Sequence, residues 1–412
     1  MNNKKIKNPK EINELKIFKN NQFCGYLRRA IQSGGSEFVF DLSYTGNLNS
    51  KDLSFHLQKR DEPYKQAGIN LHPYFAGLLP EGLRLNYLQQ KVKTSSDDLF
   101  SLFAALGGDC IGDVHTDVVD AINDNHQEHF PKWDSINFYD YFFEVLKKEG
   151  QKEVQIFSGV QEKISASMIS LPLKMQKNKH SYILKLSPKD KPNLVYNEWL
   201  CLTLASLCQI EVNNFELIYD KDDNLGLIVQ RFDRKYDYII NQMERIHQED
   251  MCQVLDRYPA EKYRITVREV FEAIEKYSSA PLVDKLKLFQ LLVFSYLVGN
   301  GDMHGKNISL YENPDDGRIS LTPAYDIICT LIYGDTKMAL KMDGKDSNFT
   351  RMDFVKFGIR HNLTQKSIES VIDQTLNLFY LHHHILYSMD LEESKLNYLM
   401  KEILKRINLI SE

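Results

Sequence analysis

The sequence is poor in cysteine, and its cysteines are not arranged as a cluster. Six cysteines are spread over 412 residues, and no two of them form a C-x-x-C string. Structural zinc sites and the disulfide frameworks of small secreted proteins both need closely spaced or paired cysteines. The spacing therefore argues against both, and we expect small buried core residues in a reducing compartment.

Long apolar runs and an excess of positive charge are also missing. No run of about 18 apolar residues is present, as a membrane span would need, and the first residues, "MNNKKIKNPKEINELKIF", are too charged for a secretory signal. Lysine and arginine number 51 against 56 acidic residues, for a net charge of -5. Dedicated nucleic-acid binders usually carry a basic surface. We expect a cytoplasmic protein with no membrane partner and no strong DNA affinity of its own.

The composition that remains is 43% hydrophobic and 26% charged, which is typical of a soluble globular protein of two or three domains. Residues 14–45 alternate like the short strands of a small sheet, and two helical patterns follow from Leu71. In the second pattern Ser96 or Asp97 could cap a helix. We predict an N-terminal subdomain over residues 1–120 and a linker or surface segment over 121–150, where the sequence turns polar.

The second half changes from strands to helices. Residues 151–235 follow the order strand, strand, helix, strand, strand, with the first two strands placed around a turn containing Gly159. Residues 236–412 are mainly helical, and "DKLKLFQLLVFSYLVG" is apolar on nearly all sides, which predicts a buried helix. The chain is therefore predicted to be an α+β protein.

A group of polar residues follows that buried helix directly. "VGNGDMHGKN" places Asp302 five positions before Asn307, and a strand–turn–strand pattern then leads to "TPAYD" with Asp326. The predicted hairpin returns Asp326 to the side of Asp302, giving oxygen ligands and a base for magnesium-dependent phosphoryl transfer. The five-residue spacing matches the catalytic loop of protein kinases. Alone it is weak, because D-x-x-x-x-N is common by chance.

The same string permits a different interpretation. "GDMHG" fits the G-D-x-H-G string of binuclear metallophosphoesterases, which complete their two metal centres with further G-D and G-N-H strings. After Asp302 the chain has only "YGDTK" and no G-N-H. The metallophosphoesterase remains an alternative with an incomplete ligand set.

A lysine and a glutamate upstream favour the kinase interpretation. "YILKL" places Lys185 on a predicted strand, and "YNEWL" places Glu198 on the following helix, thirteen residues later. A strand lysine paired with a helix glutamate is the arrangement that holds phosphates in kinases. The string "SGVQEK" could form a loop over the phosphates, although with one glycine it is a weak signal.

Taken together, these strings resemble the HipA-type serine/threonine kinases, the toxins of bacterial toxin–antitoxin modules. The resemblance extends over most of the chain, in the family's order. It is carried by "YFAGLLPEGLR", "LFAALGGDCIGDV", "SGVQEK", "YILKL", "NEWLCLTLA", "VQRFDR", "HQEDMCQVL", "GNGDMHGKNISL" and "LTPAYDI".

The resemblance implies a two-lobed protein-kinase-like fold with an additional N-terminal α/β subdomain. Residues 151–235 would be the nucleotide-binding N-lobe-like region and residues 236–412 the C-lobe. Asp302 would be the catalytic aspartate, Asn307 and Asp326 would hold magnesium, and Glu198 would pair with the phosphate lysine Lys185. The implied ATP-binding residues are Ser158, Gly159, Val160, Gln161, Glu162, Lys163, Lys185, Gln230, Arg231, Phe232, His304, Lys306, Asn307, Tyr325 and Asp326.

Two departures from the family pattern bear on these roles. Gln230 stands where members often have glutamate, which puts only a side-chain role at the adenine in doubt. In the family a serine at the glycine loop can be autophosphorylated, which inactivates the kinase. Residue 156 is isoleucine here, so Ser158 is the predicted autophosphorylation site. No role follows from spacing for the "HQEDMCQ" segment, which includes Gln253.

The expected function is an ATP- and Mg-dependent serine/threonine protein kinase that inhibits growth by phosphorylating an aminoacyl-tRNA synthetase or another translation component. The implied partner is a helix-turn-helix antitoxin, through which the protein would reach DNA only indirectly. The alternative from another class is a non-catalytic nucleotide-binding co-repressor subunit.

Overall fold

The computed structural model describes residues 8–30, 35–68, 71–106, 110–116, 132–148, 168–177, 179–188, 191 and 193–412. Its N-terminal part contains an antiparallel sheet of five strands in the order β4-β3-β2-β1-β5. The strands are β1 Glu14–Lys19, β2 Gln22–Ala30, β3 Gly35–Phe40, β4 Tyr64–Gln66 and β5 Val114–Thr116. The helices are α1 Leu42–Thr45, α2 Pro73–Gly77, α3 Gly82–Val92 and α4 Leu99–Leu106.

The predicted sheet is present, with differences at the ends of its elements. The strand pattern was expected to reach Thr45, but the strand stops at Phe40 because the side chain of Asp41 accepts the backbone N–H of Ser43 (2.9 Å) and caps α1. At α4 the side chain of Asp98, not Ser96 or Asp97, accepts the N–H of Ser101 (3.2 Å). The predicted helix starts were therefore correct to within two residues, but the first helical pattern is divided into two helices, α2 and α3.

A second antiparallel sheet has the order β6-β7-β9-β8. Its elements are α5 Phe138–Lys148, β6 Ile169–Lys177, β7 His180–Leu186, α6 Leu194–Leu207, β8 Phe215–Tyr219 and β9 Leu225–Gln230. Helix α5 lies within the stretch 121–150 that was expected to be a linker, and its Phe138 shares a core with β7 and β9. Gly226 of β9 permits this packing, since a Cβ there would lie 2.8 Å from the Phe138 ring.

The remainder is mainly helical, as predicted. Its strands are β10 Arg234–Asp237, β11 Gln242–Arg245, β12 Gln248–Asp250, β13 Ser309–Glu312 and β14 Ile319–Leu321. Its helices are α7 Met251–Val254, α8 Val267–Tyr277, α9 Pro281–Val298, α10 Arg351–Arg360, α11 Gln365–His382 and α12 Glu393–Ser411. Helix α9 is the predicted buried helix, and β13 pairs with β14 as the predicted hairpin, with Leu310 opposite Leu321.

The cores agree with the composition of the chain. All six cysteines are buried and free, as expected of small core residues. Apolar residues form separate cores in the N-terminal subdomain, around the second sheet, and through the helical part. None of the described helices is both long enough and apolar enough to cross a lipid bilayer.

Candidate active site

Lys185, Glu198 and Asp326 form a charge cluster between the second sheet and the helical part, in which Lys185 and Glu198 are buried and Asp326 is partly exposed. Nζ of Lys185 donates to Oε1 of Glu198 at 2.5 Å and also to Oδ1 of Asp326. The Lys185 residue is 6% exposed and Glu198 1%. Buried charges are stable only when paired, so one cation held by two carboxylates is a consistent arrangement. The predicted strand–helix pair of Lys185 and Glu198 is confirmed as a contact.

The charge states of the cluster follow from burial and pairing. Burial alone would lower the pKa of Lys185, but Asp326 and Glu198 outweigh it and hold that pKa above its usual value. Burial raises the pKa of Glu198 to about 7, against the opposing attraction of Lys185. Lys185 therefore stays charged near neutral pH, while Glu198 lies close to its titration range.

Residues 299–307, here called the Asp302 loop, are folded by their own hydrogen bonds. Gly299 ends α9 in a left-handed conformation (φ +78°). The N–H of Asp302 donates to Oδ1 of Asn300 (3.1 Å), and Nδ2 of Asn307 donates to the carbonyl oxygen of Asp302 (2.9 Å). The five-residue spacing of Asp302 and Asn307 is thus bridged by a direct hydrogen bond.

His304 and Lys306 of this loop have different surroundings. His304 is buried, and neither of its ring nitrogens has a hydrogen-bond partner within the described part of the chain. Burial, together with nearby Lys262, lowers its pKa to about 3, so the imidazole is neutral. Lys306 donates to the carbonyl oxygen of Gly77 (3.1 Å) and lies 3.6 Å from carboxylate oxygens of Glu81 and Asp250. The Lys306 side chain is therefore directed at the N-terminal subdomain.

Tyr325 and Asp326 follow β14. The hydroxyl of Tyr325 lies 2.6 Å from Oγ of Ser309 and donates to the carbonyl oxygen of Lys306 (2.8 Å). This ties the segment after β14 to the Asp302 loop. Asp326 takes a left-handed backbone conformation (φ +54°) that is uncommon outside glycine. Asp326 contacts Lys185, whereas its predicted position beside Asp302 and Asn307 stays a prediction.

The segment predicted to meet adenine lies at the end of β9. The N–H of Arg231 donates to the carbonyl oxygen of Ser181 (2.8 Å), so its backbone is part of the sheet edge. The guanidinium of Arg231 is held by Asp233 (2.7 Å) and the carbonyl oxygen of Cys110 (3.4 Å). The Gln230 side chain bonds with Asn214 (2.8 Å).

Phe232 packs its ring 5.5 Å from that of Tyr325. Residues 158–163, the predicted phosphate loop with Ser158, Gly159, Val160, Gln161, Glu162 and Lys163, lie outside the described residues. In the structure Lys185 contacts Glu198 and Asp326, and Asn307 contacts Asp302. The side chains of Lys306 and Arg231 contact the N-terminal subdomain.

Several contacts of this site had no signal in the sequence. The phenol of Tyr263 donates to Oδ1 of Asp302 at 2.7 Å, and Glu81 bonds Lys262 (2.7 Å). Gln253 forms a capping box with Asp250 and donates to the carbonyl oxygen of Tyr74 (2.9 Å). The unexplained "HQEDMCQ" segment thus has a structural role at the boundary of the N-terminal subdomain.

Comparisons with known proteins identify relatives over most of the chain. The chain is 29% identical over 367 residues to a putative kinase, Y4mE, of Sinorhizobium fredii, covering 83% of this chain and 85% of the relative. It is 24% identical over 355 residues to the serine/threonine-protein kinase toxin HipA of Shewanella oneidensis, covering 75% and 76%.

A solved complex of Shewanella oneidensis HipA, HipB and operator DNA contains a similar fold. Its similar chain superposes with a TM-score of 0.71 at 19% identity, covering 96% of both chains. The predicted α+β kinase-like fold class is thereby confirmed. The family model of the HipA N-terminal domain matches residues 15–117, and that of the HipA-like C-terminal domain matches residues 156–379. Because the second match alone spans more than half of the sequence, the chain belongs to the HipA family.

Proposed function

We propose that this protein is a serine/threonine protein kinase that uses ATP and Mg²⁺ and acts in the cytoplasm as the toxin of a toxin–antitoxin module. The observation that carries the proposal is the buried contact of Lys185 with Glu198 and Asp326. Phosphoryl transfer needs a positioned cation on the phosphates, and a lysine fixed by a helix glutamate supplies it. The names of the curated relatives support the same activity.

In this proposal Asp302 accepts a proton from the substrate hydroxyl. Lys185 neutralises charge on the ATP phosphates, and the backbone of Gln230 to Phe232 borders the adenine. The buried guanidinium of Arg231 is bound to Asp233, which fixes the position of this segment. Catalysis then comes from positioning and charge neutralisation, without a covalent intermediate.

The residues proposed for magnesium have suitable chemistry. Magnesium prefers oxygen ligands and commonly takes one or two protein ligands together with substrate phosphates. The hydrogen bond from Nδ2 of Asn307 to Asp302 fixes the amide and leaves its Oδ1 as the ligand atom, and Asp326 offers a carboxylate. No group of three or more His, Cys, Asp or Glu suited to metal occurs among the described residues. When bound, the metal would neutralise the β- and γ-phosphates.

The test is transfer of labelled γ-phosphate from ATP to proteins of a bacterial lysate, with Mg²⁺ present. The wild type is compared with Asp302→Asn, which keeps the size of the side chain and its backbone hydrogen bonds. A band labelled only by the wild type supports the kinase and supplies its substrate, for which we propose an aminoacyl-tRNA synthetase or another translation component. ATP binding without any transfer would support the co-repressor subunit instead.

We further propose inactivating autophosphorylation at Ser158, which lies outside the described residues. The expected result is that purified wild type gains phosphate on the peptide containing residues 158–163 in the presence of ATP, and that Ser158→Ala does not. A Ser158→Ala protein that still gained phosphate on this peptide would contradict the assignment.

The proposed partner is a helix-turn-helix antitoxin, through which the complex binds DNA. Support comes from the net charge of -5, which is unfavourable for direct DNA binding, and from the superposition on a complex that contains HipB and operator DNA. The test is DNA retardation with the protein alone and with its antitoxin. DNA binding by the protein alone at physiological salt would contradict the indirect mode.

A further inference from the structure

Tyr263 contacts the two central side chains of the Asp302 loop. It lies between the 3-10 turn Pro259–Glu261 and α8, and its phenol donates to Oδ1 of Asp302 at 2.7 Å. Asp302 is buried, at 2% exposed, so a neutral donor at this oxygen restricts how the carboxylate can rotate. The ring of Tyr263 also packs edge-on against the imidazole of His304, with centroids 4.9 Å apart.

The backbone beside Tyr263 is bound to the same loop. The carbonyl oxygen of Lys262 accepts the N–H of Gly305 at 3.0 Å. A Cβ on Gly305 would lie 2.6 Å from Ile265, so the two segments are in close contact. Residues 262–265 therefore form the immediate support of the Asp302 loop.

Glu81 of the N-terminal subdomain contacts both the supporting segment, residues 262–265, and the Asp302 loop. Its Oε2 accepts a hydrogen bond from Nζ of Lys262 (2.7 Å), and its Oε1 lies 3.6 Å from Nζ of Lys306. Both lysine side chains are only 12% exposed. Burial would raise the pKa of Glu81, but Lys306 and Lys262 lower it to about 2, so the carboxylate is charged. One carboxylate thus joins the supporting segment and the Asp302 loop to α3.

We propose that Tyr263 and Glu81 are positioning residues: Tyr263 orients the carboxylate of Asp302, and Glu81 anchors the segment of Tyr263 to the N-terminal subdomain. This inference rests on the proposed kinase function for its catalytic consequence. It gives the N-terminal subdomain a part in the transfer step, although neither residue is assigned a contact with ATP or with the acceptor.

A positioning role predicts a specific kinetic signature. Loss of the Tyr263 hydroxyl removes a hydrogen bond that orients the Asp302 carboxylate, and misplacement of a reacting group by about 1 Å can cost about a hundredfold in rate. The ring of Tyr263 packs against His304, and Tyr263→Phe keeps that ring, so ATP binding should change little. We expect Tyr263→Phe to lower kcat at least about tenfold while changing KM for ATP less than about twofold.

Tyr258→Phe is the matched control for the phenol. Tyr258 lies five residues away in the same connection, and its hydroxyl donates to the carbonyl oxygen of Leu71 (3.0 Å) across the same domain boundary. It should leave kcat nearly unchanged. Equal losses of kcat in the two variants, or a Tyr263→Phe loss confined to KM, would overturn the role of Tyr263.

Glu81 is tested by hydrogen–deuterium exchange, which does not depend on activity. Glu81 precedes α3 without a side-chain capping bond, so Glu81→Ala removes the lysine contacts and no cap. Glu312→Ala is the control, because Glu312 forms another ion pair with the N-terminal subdomain, through Lys51, away from the Asp302 loop. We expect faster exchange in the peptide spanning residues 299–307 for Glu81→Ala alone.

The two measurements separate the two possible failures. A wild type that transfers no phosphate contradicts the proposed function, and the exchange experiment still decides whether Glu81 holds the loop. A wild type that transfers phosphate, with unchanged exchange in Glu81→Ala and unchanged kcat in Tyr263→Phe, overturns the positioning inference and leaves the kinase proposal intact.

Discussion

At the scale of single residues, His72 combines a structural bond with a shifted pKa. Its Nδ1 accepts the N–H of Tyr74 (3.2 Å) and caps α2, which requires an unprotonated nitrogen. Burial lowers its pKa to about 4, with only partial compensation from Asp256. In the unfolded chain its pKa would be about 6.5. The folded protein therefore binds fewer protons than the unfolded chain between these two values.

This difference predicts acid destabilisation with a definite sign. The contribution of His72 is fully present above pH about 6.5 and is lost as the pH falls toward about 4, because only the unfolded state takes up the proton. The loss can reach about 3 kcal/mol. We expect His72→Asn, which retains a capping oxygen without titrating, to flatten the pH dependence of unfolding between pH 6.5 and 4. An unchanged dependence in urea titrations would contradict this assignment.

Lys185 leads to a prediction for the buried charge cluster. Lys185→Met leaves Glu198 buried without its cation, which costs about 3 kcal/mol when a buried ion pair is broken. Glu198→Gln keeps Lys185 paired with Asp326 and should cost less. The loss in Lys185→Met should be larger at pH 8 than at pH 6. Without Lys185 the buried Glu198 must be protonated in the folded protein, and the free energy needed to protonate it rises with pH. Thermal unfolding of both variants at the two pH values provides the measurement.

Whether a contact could be predicted from the sequence depended on how many positions separate its two residues along the chain. Lys185 and Glu198 are 13 positions apart on a strand and the next helix, so local patterns were enough to pair them. Lys306 bonds the carbonyl of Gly77 across 229 positions, and Arg231 reaches that of Cys110 across 121. No local spacing encodes such partners, and the expected ATP-binding roles of these two side chains came from the family resemblance instead.

At the scale of elements, the Asp302 loop depends on a glycine at position 301. A Cβ there would lie 2.5 Å from the carbonyl oxygen of Lys337 and from Oγ1 of Thr330. The N–H of Gly301 also donates to Oγ1 of Thr330 (2.9 Å), so the backbone cannot move away without losing this bond. The end of α9 is therefore fixed to the segment after β14.

Gly301→Ala should for this reason displace the loop, with a loss of about 1–3 kcal/mol in unfolding free energy. Gly305→Ala is the comparison within the same loop. Its Cβ would meet chiefly the far end of the Ile265 side chain (2.6 Å), which can rotate. Chemical denaturation should give the larger loss for Gly301→Ala. Equal losses of unfolding free energy would show that the fixed neighbours of Gly301 do not determine the cost of the added methyl group.

The elements most accurately predicted were those with a strong hydrophobic pattern. Helix α9 followed from an apolar run, and the β13–β14 hairpin followed from two strand patterns around Asp316-Gly317, with Gly317 at φ +71°. Helix α5 was missed because it lies within a stretch that begins with polar, turn-rich sequence. Helix α1 was missed because a single turn capped by Asp41 is too short to show a period.

At the scale of the whole molecule, a buried charge cluster joins the N-terminal subdomain to the helical part. Lys19 pairs with Asp113 (2.9 Å), and His247 donates to Asp113 and Glu249 (3.0 Å each). Burial and Lys19 lower the pKa of His247, but the two carboxylates outweigh them and raise it above its usual value. The imidazolium therefore contributes stability below pH about 6.5, and the contribution is lost as the pH rises through its folded pKa.

Asp113→Asn should remove the charge that holds both cations and cost about 3 kcal/mol of unfolding free energy, as expected for a broken buried pair. The control is Glu312→Gln, which breaks the more exposed pair with Lys51 across the same boundary and should cost less than about 1 kcal/mol. Calorimetry of the two variants gives the comparison. A small loss in Asp113→Asn would mean that this cluster does not stabilise the assembly.

The overall architecture was predictable because its strings occur in the order of a known family, and the domain order then follows. The contact of the N-terminal subdomain with the Asp302 loop could not be predicted from the sequence. It depends on contacts such as that of Glu81 with Lys262, which lie 181 positions apart, so that no local spacing pairs them.

The N-terminal subdomain also supplies backbone partners to three buried side chains of the rest of the protein. The N–H of Gly112 binds Asp233 (2.9 Å), that of Phe55 binds Glu249 (2.8 Å), and the carbonyl of Tyr74 binds Gln253 (2.9 Å). A gene truncated to begin after residue 117 would encode these three polar groups without those partners. Recombination between relatives should therefore exchange residues 15–117 and 156–379 together, as one unit of inheritance.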